Sequence, residues 1–397
     1  MKILFLSHRV PYPPDKGDKI RSFNEIKYLS RKHELHLLAF CDTPDELAFS
    51  DQLRDFCHSV TLIPLRRIRQ RLTAAKYMFE RKPWTLGFYA DPAMQEAAAK
   101  KIDSTSFDIL FVYCSSMAPY VADIPSIPKV LDFVDSDGSK WRQYASFKPA
   151  ISRWLYQYES KKLIEFETLM VHKFDRSIFV SPRETPHLQA QGKIQFIQNG
   201  IDLDYYAVGP HEPSIAKIIF VGAMNYFPNI DAVCFFARKI LPRIRQKRDV
   251  QFIVVGSNPS RSVKRLSRIA GVTVTGRVHD VRKYLKDSRV AVVPMRIAQG
   301  IQNKILEALA AGLPVVATAA AAGGLKSLSG LPVCVADDPA NFADRVLQFL
   351  DRPPSPDQLC SCRDHLKRYY SWETNLSSLD DLFDQLIPKP VFDGTNL

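Results

Sequence analysis

Lys304 and Glu307 stand three residues apart in the run Gln299-Gly300-Ile301-Gln302-Asn303-Lys304-Ile305-Leu306-Glu307-Ala308-Leu309-Ala310-Ala311-Gly312-Leu313-Pro314-Val315-Val316. Pro294 closes an apolar run ahead of it, and Gly300 permits close backbone approach. A helix is expected from near Asn303, with Gly312 as its cap and Pro314 opening the next buried strand. Free N–H groups and the positive dipole end make such a helix start suited to phosphate, and Lys304 adds a full charge. Two readings fit the pair: a solvated ion pair worth ~0.2–0.5 kcal/mol, or an ammonium that reaches a diphosphate beside a carboxylate that accepts hydrogen bonds from a ribose.

A second candidate lies after the first apolar run, where Lys2–Leu6 passes into Ser7-His8-Arg9-Val10-Pro11-Tyr12-Pro13-Pro14-Asp15-Lys16-Gly17-Asp18 before a helix at Ile20. A dinucleotide fold places G-x-G-x-x-G here so that backbone can approach a pyrophosphate. Only Gly17 is present, which argues against hydride transfer with NAD bound in the standard manner. Gly17 reads either as a plain turn glycine or as a point where backbone N–H groups meet an anion or a sugar hydroxyl, with Arg21 one turn inward. The cysteines at 41, 57, 114, 234, 334, 360 and 362 share no repeated spacing. Cys360-x-Cys362 lacks a second pair and a His cluster, so no metal site is expected, and reduced thiols in a cytosol fit best.

The elements that must hold these residues alternate along the chain. Short β-branched or apolar runs at Lys2–Leu6, Leu35–Phe40, Val60–Ile63, Ile109–Tyr113, Val130–Phe133 and Ser177–Val180 read as buried strands in the first half. Lys217–Val221, Gln251–Val255, Val272–Thr275, Val290–Pro294, Pro314–Ala317 and Val333–Ala336 follow in the second. Helical patterns fall between them, among them Ile20–Lys32, Ile151–Lys173, Ile230–Arg245, Lys304–Ala311 and Asn341–Leu350. Strand alternating with helix implies parallel sheets. Gly209-Pro210 and Glu212-Pro213 punctuate a stretch with no apolar period, so the expected domains are 1–208 and 209–370, with a final helix in 371–397 packing back on the first. Ligands of such sheets sit at strand C-termini, which places the chemistry where the two blocks face one another.

Composition narrows the function classes. The 397 residues, 46% hydrophobic and 24% charged, are those of an ordinary globular protein. After Lys2 only Ile3 to Leu6 are apolar before His8, too short for a secretory leader. The uncharged stretch Ala308–Leu325 is broken by Gly312, Pro314 and Gly323-Gly324, which reads as helix end, strand and loop rather than as a membrane span. The net charge is +12, and fifteen Lys or Arg between Arg238 and Arg289 meet only Asp249, Asp280 and Asp287. Such a field attracts anions, or it is the solvated outside of helices. With no recognisable RNA or DNA module beside it, nucleic acid is not expected as a partner. Leu65 to Trp84 carries Arg66, Arg67, Arg69, Arg71, Lys76, Arg81 and Lys82 against Glu80 alone, interleaved with Ile68, Leu72, Tyr77, Met78 and Phe79. That pattern fits an interfacial element on anionic lipid, and equally a solvated helix packed on its own sheet.

The run ending in Ala308-Leu309-Ala310-Ala311-Gly312-Leu313-Pro314-Val315-Val316 resembles the signature of the retaining family 4 glycosyltransferases, in which the Glu before it binds the nucleotide ribose. Asn199-Gly200-Ile201-Asp202 resembles the turn closing that family's first domain. Phe220-Val221-Gly222 resembles the opening of its second, and Val274-Thr275-Gly276-Arg277-Val278 the turn whose backbone meets the base. Within the family the chain is most similar to the exopolysaccharide sugar transferases found with exosortase systems. Gly300-Ile301-Gln302-Asn303-Lys304, Phe220-Val221-Gly222-Ala223-Met224 leading to Pro228-Asn229, and Val134-Asp135-Ser136-Asp137 before Lys140-Trp141 carry that similarity.

The resemblance implies an α/β fold of the GT-B class, two doubly wound Rossmann-like domains facing across a cleft. It implies a retaining transfer from a nucleotide-diphosphate sugar to a saccharide or lipid-linked acceptor, with no metal and no protein nucleophile. The family's first signature acid falls on Gln299, and the two basic residues that normally neutralise the diphosphate fall on Ala223 and Asn229, so Lys304, Arg296 or Arg277 would have to compensate. The His often found over the donor sugar corresponds to Asp135. The implied catalytic set is Asp135, Lys304 and Glu307. Gly17, Arg21, Gly222, Gly276, Arg277, Arg296, Gln299, Gly300, Ile301, Gln302 and Asn303 are assigned to substrate binding. A nucleotide-sugar 2-epimerase of the same architecture and a non-catalytic adaptor are the competing readings. The expected location is the cytoplasm, with a peripheral position at the inner face of the membrane if the basic segment meets lipid.

Overall fold

The computed structural model describes residues 1–14, 17–147, 149–185, 188, 192–207, 216–298, 301–325 and 328–387. The chain forms two compact units, Met1–Gln198 with Leu376–Leu397, and Asn199–Asn375. The division therefore falls ahead of the punctuated stretch at 209 and beyond residue 370. Hydrogen bonding is the reason: Ile201 N donates to Tyr370 O at 2.7 Å, and the Asn375 side chain donates from Nδ2 to Asn199 O at 3.0 Å. A Cβ on Gly200 would lie 2.5 Å from Trp372 N, so only glycine fits where these two segments run side by side.

The first unit holds a seven-stranded parallel sheet in the order β3-β2-β1-β4-β5-β6-β7. Its strands are β1 (Lys2–Ser7), β2 (Glu34–Cys41), β3 (Ser59–Pro64), β4 (Ile109–Tyr113), β5 (Lys129–Val134), β6 (Arg176–Phe179) and β7 (Ile194–Phe196). Ile3 to Leu6 and Ile109 to Val112 are wholly buried, as expected for central strands covered on both faces. The three-residue edge strand β7 has Gln195 at its centre, too short and too polar to stand out in the sequence. Beneath the sheet's C-terminal edge Arg21 is fully enclosed. Its Nη2 lies 2.7 Å from Asp132, its Nε 3.0 Å from Glu25, and its Nη1 donates to Ile197 O at 2.9 Å. The last helix, Trp372–Leu386, returns to this unit through Asp380, which accepts from Tyr28 Oη and from Lys32 Nζ, each at 2.6 Å.

The second unit holds a six-stranded parallel sheet ordered β10-β9-β8-β11-β12-β13. These are β8 (Lys217–Val221), β9 (Gln251–Val255), β10 (Val272–Gly276), β11 (Val290–Val293), β12 (Val315–Ala317) and β13 (Val333–Val335). The single helix expected over Ile230–Arg245 begins at Phe227 and passes through a π-helical turn at Phe236–Ile240 before continuing as Leu241–Arg245. Pro242 accounts for the wider turn: it lacks an N–H and its ring crowds the carbonyl four residues back. In each sheet the strand order reverses once, between β1 and β4 and between β8 and β11, and doubly wound sheets open their ligand crevices at such reversals.

Candidate functional site

In the second unit the helix Asn303–Ala310 starts without a capping bond from the Gln302 side chain, and Asn303 Oδ1 accepts from Asn199 Nδ2 at 3.1 Å. Its apolar face, Ile305, Leu306, Ala308 and Leu309, is buried against the sheet. This leaves Lys304 and Glu307 half-buried along a small pocket lined with them by Ile219, Val221, Val293 and Ala308. Lys304 Nζ donates to Gln302 Oε1 at 3.1 Å, lies 3.3 Å from Met295 Sδ, and sits 5.7 Å above the Phe220 ring. Burial lowers its pKa to about 8, with Glu307 pulling the other way. Burial likewise raises the Glu307 carboxyl, while Lys304 and a hydrogen bond from Tyr206 draw it back. The two charges face one pocket rather than bulk water. A desolvated ammonium is a site for an anion, and a neighbouring carboxylate can accept from hydroxyls.

The other residues assigned to substrate binding divide. Gly222 ends β8 in a tight place: a Cβ there would meet Asn229 Nδ2 at 2.7 Å, and one on Gly256 would lie 1.7 Å from Gly222 O. Asn229 is buried, donates to Ala223 O at 3.0 Å, and leaves its Oδ1 without a partner. Gly276 closes β10 at φ 74°, with open space where a Cβ would stand, and Arg277 follows it exposed. Ile301 is buried beside the half-buried Gln302 and Asn303, while Gln299 and Gly300 lie outside the described residues. Arg296 is paired on its own unit. Asp231 grips its guanidinium through both oxygens, and Phe235 stacks beneath it at 4.9 Å.

In the first unit Gly17 opens the helix Gly17–Leu29 with nothing within 4 Å of a Cβ. Arg21, in contrast, is committed to Asp132 and Glu25 at 1% exposure and cannot reach a ligand; its place is structural. Asp135 follows Val134, which is held at φ 65°, an unusual conformation for a β-branched residue. Burial raises the Asp135 carboxyl against the opposing pull of Lys140, and its Oδ1 has no hydrogen-bond partner.

Sequence reasoning missed a polar cluster at the reversal of this sheet. The β1–β4 register pairs Ser7 with Tyr113, so His8 and Cys114 emerge side by side. The His8 ring stacks on Tyr113 and places Nε2 3.6 Å from Asp18, which Arg9 Nη1 also contacts at 2.6 Å. Burial opposes the His8 charge, yet Cys114 and Asp18 outweigh it and lift the pKa to about 9. Reciprocally, burial would raise the Cys114 thiol, but His8 holds it below the ordinary range. Cys114 itself sits at φ 78°. The available signal was three polar residues, His8, Arg9 and Asp18, crowded after the first strand of a doubly wound sheet. Tyr206, the partner of Glu307, had no signal. Among the described residues no group of three His, Cys, Asp or Glu is placed to hold a metal ion.

Residues 216–352 match the model of a family described as glycosyl transferases group 1. No curated protein matches the chain by sequence. Among solved structures the chain is similar to a sucrose-phosphate synthase from Thermosynechococcus elongatus, with a TM-score of 0.67 and 15% identity over 97% of this chain and 99% of that one. It is similar to a glycosyltransferase from Rickettsia africae, with a TM-score of 0.67 and 12% identity over 98% and 99%. It is also similar to HepE of Anabaena, solved in complex with UDP and glucose, with a TM-score of 0.67 and 13% identity over 97% and 100%. The two parallel-sheet, Rossmann-like units are those of the GT-B glycosyltransferase fold.

Proposed function

We propose that the chain is a retaining glycosyltransferase of the family 4 kind. It would move a sugar from a nucleoside-diphosphate donor to a saccharide acceptor, free or carried on lipid, in exopolysaccharide or cell-surface glycan assembly. The observation that carries this reading is the shared pocket of Lys304 and Glu307, on a helix start within the segment that matches the group 1 glycosyltransferase model. Lys304 and the uncapped amides of the helix start receive the diphosphate, and Glu307 accepts from the ribose hydroxyls. In the transfer the bond between the anomeric carbon and the diphosphate oxygen breaks, and the departing oxygen takes the acceptor's proton. The acceptor oxygen bonds the same face. The protein's part is to position the partners and to stabilise the leaving charge. The free thiols of all seven cysteines suit a reducing cytosol, where we place the reaction.

Incubation with a panel of nucleotide sugars tests the reading. The expected result is free nucleoside diphosphate only when a saccharide acceptor is present, with the product linkage keeping the donor's anomeric configuration by NMR. An altered sugar without acceptor would make the protein an epimerase instead, and no turnover with any donor would make it an adaptor. Lys304→Ala should lower kcat by about 10²–10³, the loss typical of one stabilising donor.

A further inference from the structure

The helix Arg67–Phe79 is turned inside out. At about 100° per residue, Ile68, Leu72, Ala75 and Phe79 fall within about 60° of one another, and this stripe faces outward, with Ile68 80%, Leu72 68% and Phe79 83% exposed. The opposite side packs on the unit. A Cβ on Gly87 would lie 2.8 Å from Ala74 Cα and 2.9 Å from Thr73 O, and the buried Gln70 donates to Asp91 Oδ2 at 2.7 Å. The protein thus buries the helix's polar glutamine and shows its greasiest strip to the outside. Arg67 and Arg71 border one edge of the strip, Arg69 and Lys76 the other. Glu80 is the sole acid between Leu65 and Trp84, and it pairs with Lys76 and Lys82, leaving five arginines of this stretch without a carboxylate from it. Ile151 and Trp154 add two more exposed apolar side chains at 86% and 63%. They belong to the helix Ala150–Lys173, whose Glu159 binds the Trp84 and Thr85 amides just past Phe79.

We propose that this face docks in the plane of an anionic lipid bilayer. Its apolar stripe enters the headgroup boundary while the flanking arginines reach lipid phosphates. Charge selects this occupant over a second copy of the chain, because two such faces would bring like charges together. Among the described residues no helix is long and apolar enough to cross a membrane, so the contact is interfacial. The face belongs to the unit that lacks the Lys304 pocket, and docking does not depend on the proposed glycosyl transfer.

The test is flotation of the full-length protein with vesicles of phosphatidylcholine alone or mixed with phosphatidylglycerol. The protein is expected to float with the anionic vesicles at low salt, to be released at high salt, and to ignore neutral ones. Each Arg→Ala change at 66, 67, 69 or 71 should weaken partitioning about fivefold, and Phe79→Ser by about tenfold or more. Because these side chains are exposed, the thermal midpoint should hold in every variant, so lost flotation is not lost folding. Equal binding to neutral vesicles, or flotation that Phe79→Ser leaves untouched, overturns the proposal. So does a dimer in sedimentation equilibrium that the same substitution dissolves. If stabilisation by a nucleoside diphosphate fails while flotation persists, only the transferase reading falls.

Discussion

Raising the pH past about 8 takes the proton from Lys304, with opposite effects on folding and on donor binding. The unfolded chain keeps that proton up to 10.5, so the group's contribution to stability rises as pH climbs from about 8 toward 10.5. Diphosphate binding needs the ammonium. The affinity for UDP measured by calorimetry should be level below pH 8 and fall up to about tenfold per unit above it. Lys304→Arg should flatten that profile, and an unchanged slope would show that another group receives the diphosphate. At pH 7 iodoacetamide should label Cys114 before Cys41 and Cys57, whose thiols burial pushes up to about 12, as peptide mapping would show. His8→Ala should slow that labelling several-fold. Lys304 and Glu307 were legible in the sequence because one helical turn carries both. The His8 and Cys114 pair was not, since only the strand register brings those two residues together. Arg21 misled because sequence shows a charge but not the carboxylates that consume it.

Two buried carboxylates on the helix Ala150–Lys173 cap neighbouring helix starts. Glu159 accepts from the Trp84 and Thr85 amides, and Glu167 from Ser136 Oγ at 2.7 Å and Gly138 N at 3.0 Å. Glu167→Ala would remove this acceptor from both donors, and urea unfolding should report a loss of about 1–3 kcal/mol. Gly87→Ala drives a methyl into the backbone of the Arg67–Phe79 helix and should cost about as much. The twelve apolar runs each became a strand because buried parallel strands need continuous β-branched sequence. The direction of the Arg67–Phe79 helix stayed hidden for the converse reason. Apolar periodicity locates a face but is silent on whether protein or lipid covers it.

For the whole molecule, a nucleoside diphosphate at about 100 times its Kd should add ~2.7 kcal/mol of stability, read as a raised thermal midpoint. Glu307→Ala should lose that response to UDP yet retain one to inorganic pyrophosphate, and Lys304→Ala should lose both. Equal responses in both variants would refute the division of roles. The alternation of strand and helix announced two Rossmann-like units, but the sequence's punctuation misplaced where one ends. Proline and glycine report solvent exposure, whereas the division follows the pairing of Ile201 with Tyr370.

The return of the final helix to the first sheet sets an order on synthesis. Leu376, Leu379, Leu382 and Phe383 are buried, and Phe383 lies edge-on to Phe111 at 6.3 Å. The first sheet therefore needs a segment that is made after the whole of the second unit, while the contiguous stretch Asn199–Asn375 needs none from outside itself. A released chain ending at Asn375 should show protease resistance in the second sheet and sensitivity in the first.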